Sequence, residues 1–68
     1  MSVAKITEIK SSSSVSFEDA IQSGLKRASE TLENVRSAWI RSQEVLVGDN
    51  GEITEYRVLM KVTFVLKE

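Results

Sequence analysis

The chain is expected to fold as α+β, in the order β-α-β-β, with a three-stranded antiparallel sheet and one helix packed across one face. Three observations predict it. Ile53 to Leu66 alternates with period two over an unusual length, the signature of a strand with one face on a core. Residues 17–32 carry an apolar stripe at spacings of three and four, the signature of an amphipathic helix. Gly48-Asp49-Asn50-Gly51 separates two long β-prone runs, which reads as a hairpin turn.

The first element is expected over Val3 to Lys10, a moderately β-prone run with Val3, Ile6 and Ile9 as its apolar members. Ser11 to Ser14 follows as a polar turn, since serine hydroxyls compete for backbone hydrogen bonds. Ser16 opens the helix: its hydroxyl stands three residues before Asp19, close to the capping-box pattern. Val15, just before that cap, is placed to staple against Ala20, and Glu18 and Asp19 suit the positive end of the helix dipole.

Phe17, Ala20, Ile21, Gly24, Leu25, Ala28 and Leu32 form the stripe, while Gln22, Lys26, Arg27, Glu30 and Glu33 lie off it. Gly24 inside the stripe costs about 1 kcal/mol against alanine, so close approach of helix to sheet is its expected reason. The helix should end between Leu32 and Asn34.

Arg36 to Val47 is the second strand, with Ala38, Ile40 and Leu46 on one parity and Ser37, Trp39, Arg41, Gln43, Val45 and Val47 on the other. In the third strand Tyr56, Val58, Met60, Val62, Phe64 and Leu66 share a face, and Glu55, Arg57, Leu59, Lys61, Thr63 and Val65 share the other. The hairpin register has two solutions. A two-residue loop pairs Trp39 with Met60. A three-residue loop or a bulge groups Trp39 with Leu59, Arg57 and Lys61, and is favoured because long ribbons commonly carry bulges.

One helix covers one sheet face. The far face would then carry Trp39, Leu59 and Val65 among charged neighbours, and such a patch marks an interaction surface. Size points the same way. At 68 residues the chain is a single domain (1–68), marginal alone, of a size usually reinforced by disulfides, metals or oligomerisation. There is no Cys and no His, which removes disulfides, thiolate metal sites, the commonest metal ligand and the commonest general base. Self-association is what remains.

Nine basic and ten acidic residues, net charge −1, give no electrostatic footprint for nucleic acid. No apolar run approaches a membrane span, and the charged, alternating N-terminus is unlike a signal peptide. A cytoplasmic location is the expectation.

The inventory for catalysis is thin. The acids are scattered, no glycine-rich phosphate loop exists, and Ser11 to Ser14 has no histidine to activate a nucleophile. Asp49-Asn50-Gly51-Glu52 groups oxygens of the kind calcium takes, but the loop is short, and a plain turn accounts for it better. The residue that invites a function is Trp39, either an interface aromatic or a stacking platform for a planar ligand. Arg57 is either an inter-subunit ion-pair partner of Glu44 or Glu55, or a donor to a ligand ring or phosphate. Gln43 is either a second such donor or a solvated strand residue.

Several stretches together resemble the dodecin family: S-F-E-D-A-I from Ser16, R-A-x-x-T-L-x-N-V from Arg27 to Val35, the A-W of the second strand, and E-Y-R-V-x-M-K-V-T-F-V-L at the end, with V-A-K-I-T-E-I opening the chain. The resemblance covers nearly the whole sequence. It implies a β-α-β-β chain assembling into a hollow homododecamer, with the far sheet face turned to subunit contacts and to a lining. It also implies a non-catalytic protein that stores or buffers a flavin, FMN or riboflavin, or the bulkier FAD.

Flavin-binding dodecins hold stacked flavin pairs at two-fold contacts, with a Trp of the second strand on the ring and a Gln of the third strand bonded to it. By that resemblance the stacking position falls on Ser37, and Trp39 comes two residues later on the same face. The Gln position falls on Arg57, which donates but does not accept and so favours a phosphate-bearing flavin. Trp39, Arg57, Gln43 and Ser37 are therefore the expected ligand residues. A dodecin-like assembly that binds ions or another small ligand is the alternative.

Overall fold

The computed structural model describes residues 3–66. Its elements are β1 (Ala4–Ser13), α1 (Phe17–Thr31), β2 (Val35–Val47) and β3 (Ile53–Val65). They form one antiparallel sheet in the order β1-β3-β2. The final strand is thus the centre of the sheet, paired along both edges, which is why its alternation is the cleanest in the sequence.

The inward parity of β3 carries the core. Val58, Met60 and Val62 are buried, with Ala20 of α1 packed on them. Ile9, Phe17, Ile21, Leu25, Val35, Ala38 and Ile40 surround this cluster as half-buried neighbours. Phe17 meets Tyr56 edge to face at 5.2 Å between centroids, a favoured aromatic geometry.

The first strand runs three residues further than its local sequence suggests. Ser11, Ser12 and Ser13 are strand, paired with Val58, Arg57 and Tyr56, and only Ser14 and Val15 turn. The partner strand offers ladder hydrogen bonds there, and these outweigh the turn preference of serine. Ser13 is also the keystone of the helix start. Its Oγ donates to Asp19 Oδ2 at 2.6 Å and accepts from the backbone N–H groups of Val15 at 2.9 Å and Ser16 at 3.4 Å.

Ser16 caps the helix as expected, accepting from the Asp19 N–H at 3.0 Å. The return leg of a capping box, in which the third helical side chain holds the cap N–H, passes instead through Ser13. The expected staple does not form: Val15 is 70% exposed, because Ala20 is already covered by the sheet.

The corner after α1 is tied to the far end of β3. Asn34 takes φ 61°, a left-handed conformation that asparagine tolerates better than most residues. Its carbonyl accepts from the Val65 N–H at 3.0 Å, and its side-chain amide donates to the Val65 carbonyl at 3.4 Å. At the other corner the Gly48 N–H donates to the Glu52 carbonyl and the Gly51 N–H to the Gly48 carbonyl, with Gly51 at φ 83°. This is the three-residue loop with a left-handed glycine.

The chain is a slab of 53 × 19 × 13 Å with a radius of gyration of 14.1 Å. A compact chain of this length would have a radius of gyration of about 11 Å. The small core and the stretched outline have one cause: the β2–β3 ribbon extends well beyond the reach of a 15-residue helix.

Candidate functional site

The face of the sheet opposite α1 has no covering layer among the described residues. Register places Arg57, Leu59, Lys61, Thr63 and Val65 of β3 on it, opposite Ser12, Lys10, Glu8, Ile6 and Ala4 of β1. From β2 it receives Ser37 against Thr63 and Trp39 against Lys61. The favoured hairpin register is therefore the one observed. Trp39 is on the uncovered face, 62% exposed, and Ile6 on the same face is 59% exposed.

β2 is irregular, and its irregularities set this site. The ladder slips by one residue between Val35 and Ser37, between Ile40 and Ser42, and between Leu46 and Val47. At the second slip Arg41 is the extra residue. Two residues of the bulged strand then oppose one of the partner, so Arg41 and Ser42 share Leu59. The guanidinium carbon of Arg41 lies 4.7 Å from the centroid of the Trp39 ring, within cation–π range.

That bulge corrects the expectation for Gln43. Unbroken alternation puts Gln43 on the parity of Ser37 and Trp39. The observed partner of Gln43 is Val58, a core residue of the helix side, because the extra residue at Arg41 reverses the parity from Ser42 to Leu46. Glu44 and Leu46 take the far face instead, opposite Arg57 and Glu55. Gln43 remains exposed and borders a shallow hollow of about 380 Å³ with Lys10, Ser42, Glu44, Arg57 and Leu59.

Arg57 faces the same side as Trp39 but stands four residues along β3 from Lys61, the partner of Trp39, a separation of about 13 Å. Its Nε and Nη2 reach Glu55 Oε2 of its own chain at 3.1 and 3.0 Å, and Glu44 is its cross-strand neighbour. Within the protomer Arg57 therefore already has an ion-pair partner. Ser37 is the nearer companion of Trp39, one face and about 7 Å away. A single protomer brings together Ser37, Trp39, Arg41 and Lys61, and leaves Arg57 and Gln43 at a distance.

Arg41 and Lys61 are the residues of this cluster that sequence reasoning passed over as candidates. A cation two positions from a strand tryptophan was the available signal for Arg41. The hairpin oxygens are turned to the turn itself: Glu52 Oε2 accepts from the Asn50 N–H at 3.1 Å. Among the described residues no group of three or more acidic side chains is placed to hold a metal ion, and no helix is long and apolar enough to cross a membrane.

Three comparisons bear on this arrangement. A family model described as Dodecin matches residues 3–67. The calcium dodecin of Mycobacterium tuberculosis is 33% identical over 67 residues, spanning 98% of this chain and 93% of the relative. Among solved structures, the dodecin of Streptomyces davaonensis superposes with a TM-score of 0.93 at 33% identity, covering 98% of this chain and 97% of its own. A variant of the dodecin of Thermus thermophilus gives 0.91 at 32% identity over the whole of both chains.

Proposed function

The chain belongs to the dodecin family, and from that premise we propose that it stores or sequesters a flavin, FMN or riboflavin, within a homododecameric shell and catalyses no reaction. The observation that carries the reading is Trp39, a large aromatic 62% exposed on a sheet face without a covering layer. An indole so placed offers a planar ligand a stacking surface. Stacked beside it, a flavin would have its fluorescence quenched and its photochemistry limited, a physical purpose for such a store.

In this reading Trp39 is the platform and Ser37 the polar neighbour on the same face. Arg57 and Gln43 lie too far along the ribbon to reach the same ring within one protomer, so they would serve a ligand held between two copies. The assembly half of the proposal draws on the slab shape, with a radius of gyration of 14.1 Å, and on exposed Ile6, Trp39, Val47 and Ile53. Apolar surface left open on so thin a chain is what self-association would cover. A FAD molecule would need room for its adenosine beyond the same platform.

The experiment is a titration of FMN and riboflavin with purified protein, following flavin fluorescence, with sizing of the same sample. The reading expects saturable quenching on a particle of about twelve chains. A particle of that size without quenching would overturn flavin storage and leave the assembly. Ion binding is the second reading, favoured by the name of the calcium dodecin relative. It expects bound calcium, measured by equilibrium dialysis, on a particle indifferent to flavin.

A further inference from the structure

The bulge that reverses the parity of β2 also delivers a cation to the tryptophan. Arg41 is the inserted residue, and its guanidinium carbon is 4.7 Å from the Trp39 ring centroid. Lys61 stands directly across the ladder from Trp39. The ion pairs among the described residues are Arg27–Glu30 and Arg57–Glu55, so neither Arg41 nor Lys61 has a carboxylate of these residues within 4.0 Å. Glu8 is the acidic neighbour of Lys61 on the β1 side, and it stays outside that distance. Arg57, by contrast, already has its charge met by Glu55.

Two of the uncommitted cations of this face therefore flank its one large aromatic, while a third, Lys10, lies further along it opposite Leu59. A guanidinium both stacks on aromatic rings and grips a phosphate with paired N–H donors, whereas an ammonium acts as a point charge. We propose that Arg41, backed by Lys61, binds the phosphate of a planar aromatic ligand stacked on Trp39, and so makes the site select a phosphate monoester such as FMN over its neutral parent riboflavin. The inference rests on the flavin reading above and names the specificity of that site. It also moves the phosphate contact from Arg57 to Arg41. The guanidinium lies on the indole; on binding it exchanges that contact for the phosphate, with Lys61 adding charge from the opposite strand.

The test is the ratio of FMN to riboflavin affinity in the wild-type protein, Arg41→Ala, Arg41→Lys and Lys61→Met, each sized to show that the particle is intact. Wild type is expected to bind FMN about tenfold or more tighter than riboflavin, since a charge-assisted bond to phosphate is worth at least that factor. Arg41→Ala should bring FMN down to the riboflavin level and weaken riboflavin far less than FMN. Arg41→Lys should keep part of the preference, and Lys61→Met should weaken it less than Arg41→Ala. The FMN advantage should shrink as salt rises, because Arg41 is exposed and Lys61 only half-buried.

Equal affinity for the two flavins in wild type would overturn the inference and leave storage standing. A parallel loss of both flavins in Arg41→Ala would also overturn it, assigning Arg41 to the packing of Trp39. Absence of binding by either flavin would remove the storage reading and this inference together.

Discussion

Gly24 and Ser11 meet where α1 crosses β1: a methyl group on Gly24 would lie 2.8 Å from Ser11 Cβ and 2.9 Å from Met60 Cε. The Met60 tip can swing aside, but Ser11 Cβ is fixed to the strand. Gly24→Ala therefore sets a gain in helix propensity of about 1 kcal/mol against an overpacking cost of about 1–3 kcal/mol. A net loss is expected, seen as a melting temperature several degrees lower at equal protein concentration. Ser11→Gly in the same chain should recover part of it. A Gly24→Ala protein as stable as wild type would mean that the helix can lift from the sheet freely.

Ser13 predicts a larger effect than its helix-capping neighbour. Its single hydroxyl serves Asp19, Val15 and Ser16, and the residue is 9% exposed. Ser13→Ala strands two backbone N–H groups and a carboxylate, a cost of about 1–3 kcal/mol. Ser16→Ala removes one exposed capping bond, about 1 kcal/mol. Urea unfolding of the two variants should place Ser13→Ala below Ser16→Ala. The reverse order would show that water takes over the work of Ser13.

Ser13 also shows where local sequence stops being informative. Four consecutive serines have the chemistry of a turn, and only the presence of Val58, Arg57 and Tyr56 opposite them makes three of them strand. Likewise the inner face of β3 was legible because Val58, Met60 and Val62 alternate without interruption, and Ser16 because a cap is a local pattern. Gly24 was legible because its cost demands a close approach. The bulge at Arg41 has no local signature. It is a property of the pairing of two strands, and every β2 side chain beyond it, Gln43 above all, inherits its face from that pairing. The face of Ser37 and Trp39, before that bulge, was therefore readable, and the face of the residues just after it was not.

Calcium gives a prediction with a sign. The Asp49–Glu52 loop already uses Glu52 to hold the Asn50 N–H, and no group of three or more acidic side chains is gathered within the described chain. Calcium at millimolar concentration, or its removal by a chelator, should leave the melting temperature unchanged. A ligand that bound the folded state at a hundred times its dissociation constant would add about 2.7 kcal/mol, a shift easily seen. A rise of that size with calcium would favour the ion-binding reading and point to carboxylates brought together between subunits.

Trp39 is the decisive residue for flavin storage, and its variants separate platform from interface. Trp39→Ala removes the stacking surface, and base-sized aromatic rings lose about 1–3 kcal/mol when such a partner is truncated. Flavin affinity should fall by about tenfold to a hundredfold, and the quenching with it, while Trp39→Phe keeps a smaller ring and should lie between. The core does not depend on this side chain, which projects from the face opposite Val58, Met60 and Val62. Helix content should therefore survive the change. A Trp39→Ala protein that dissociates while Trp39→Phe stays assembled would make the indole a subunit contact first. One that stays assembled and binds flavin as tightly as wild type would remove Trp39 from the site altogether.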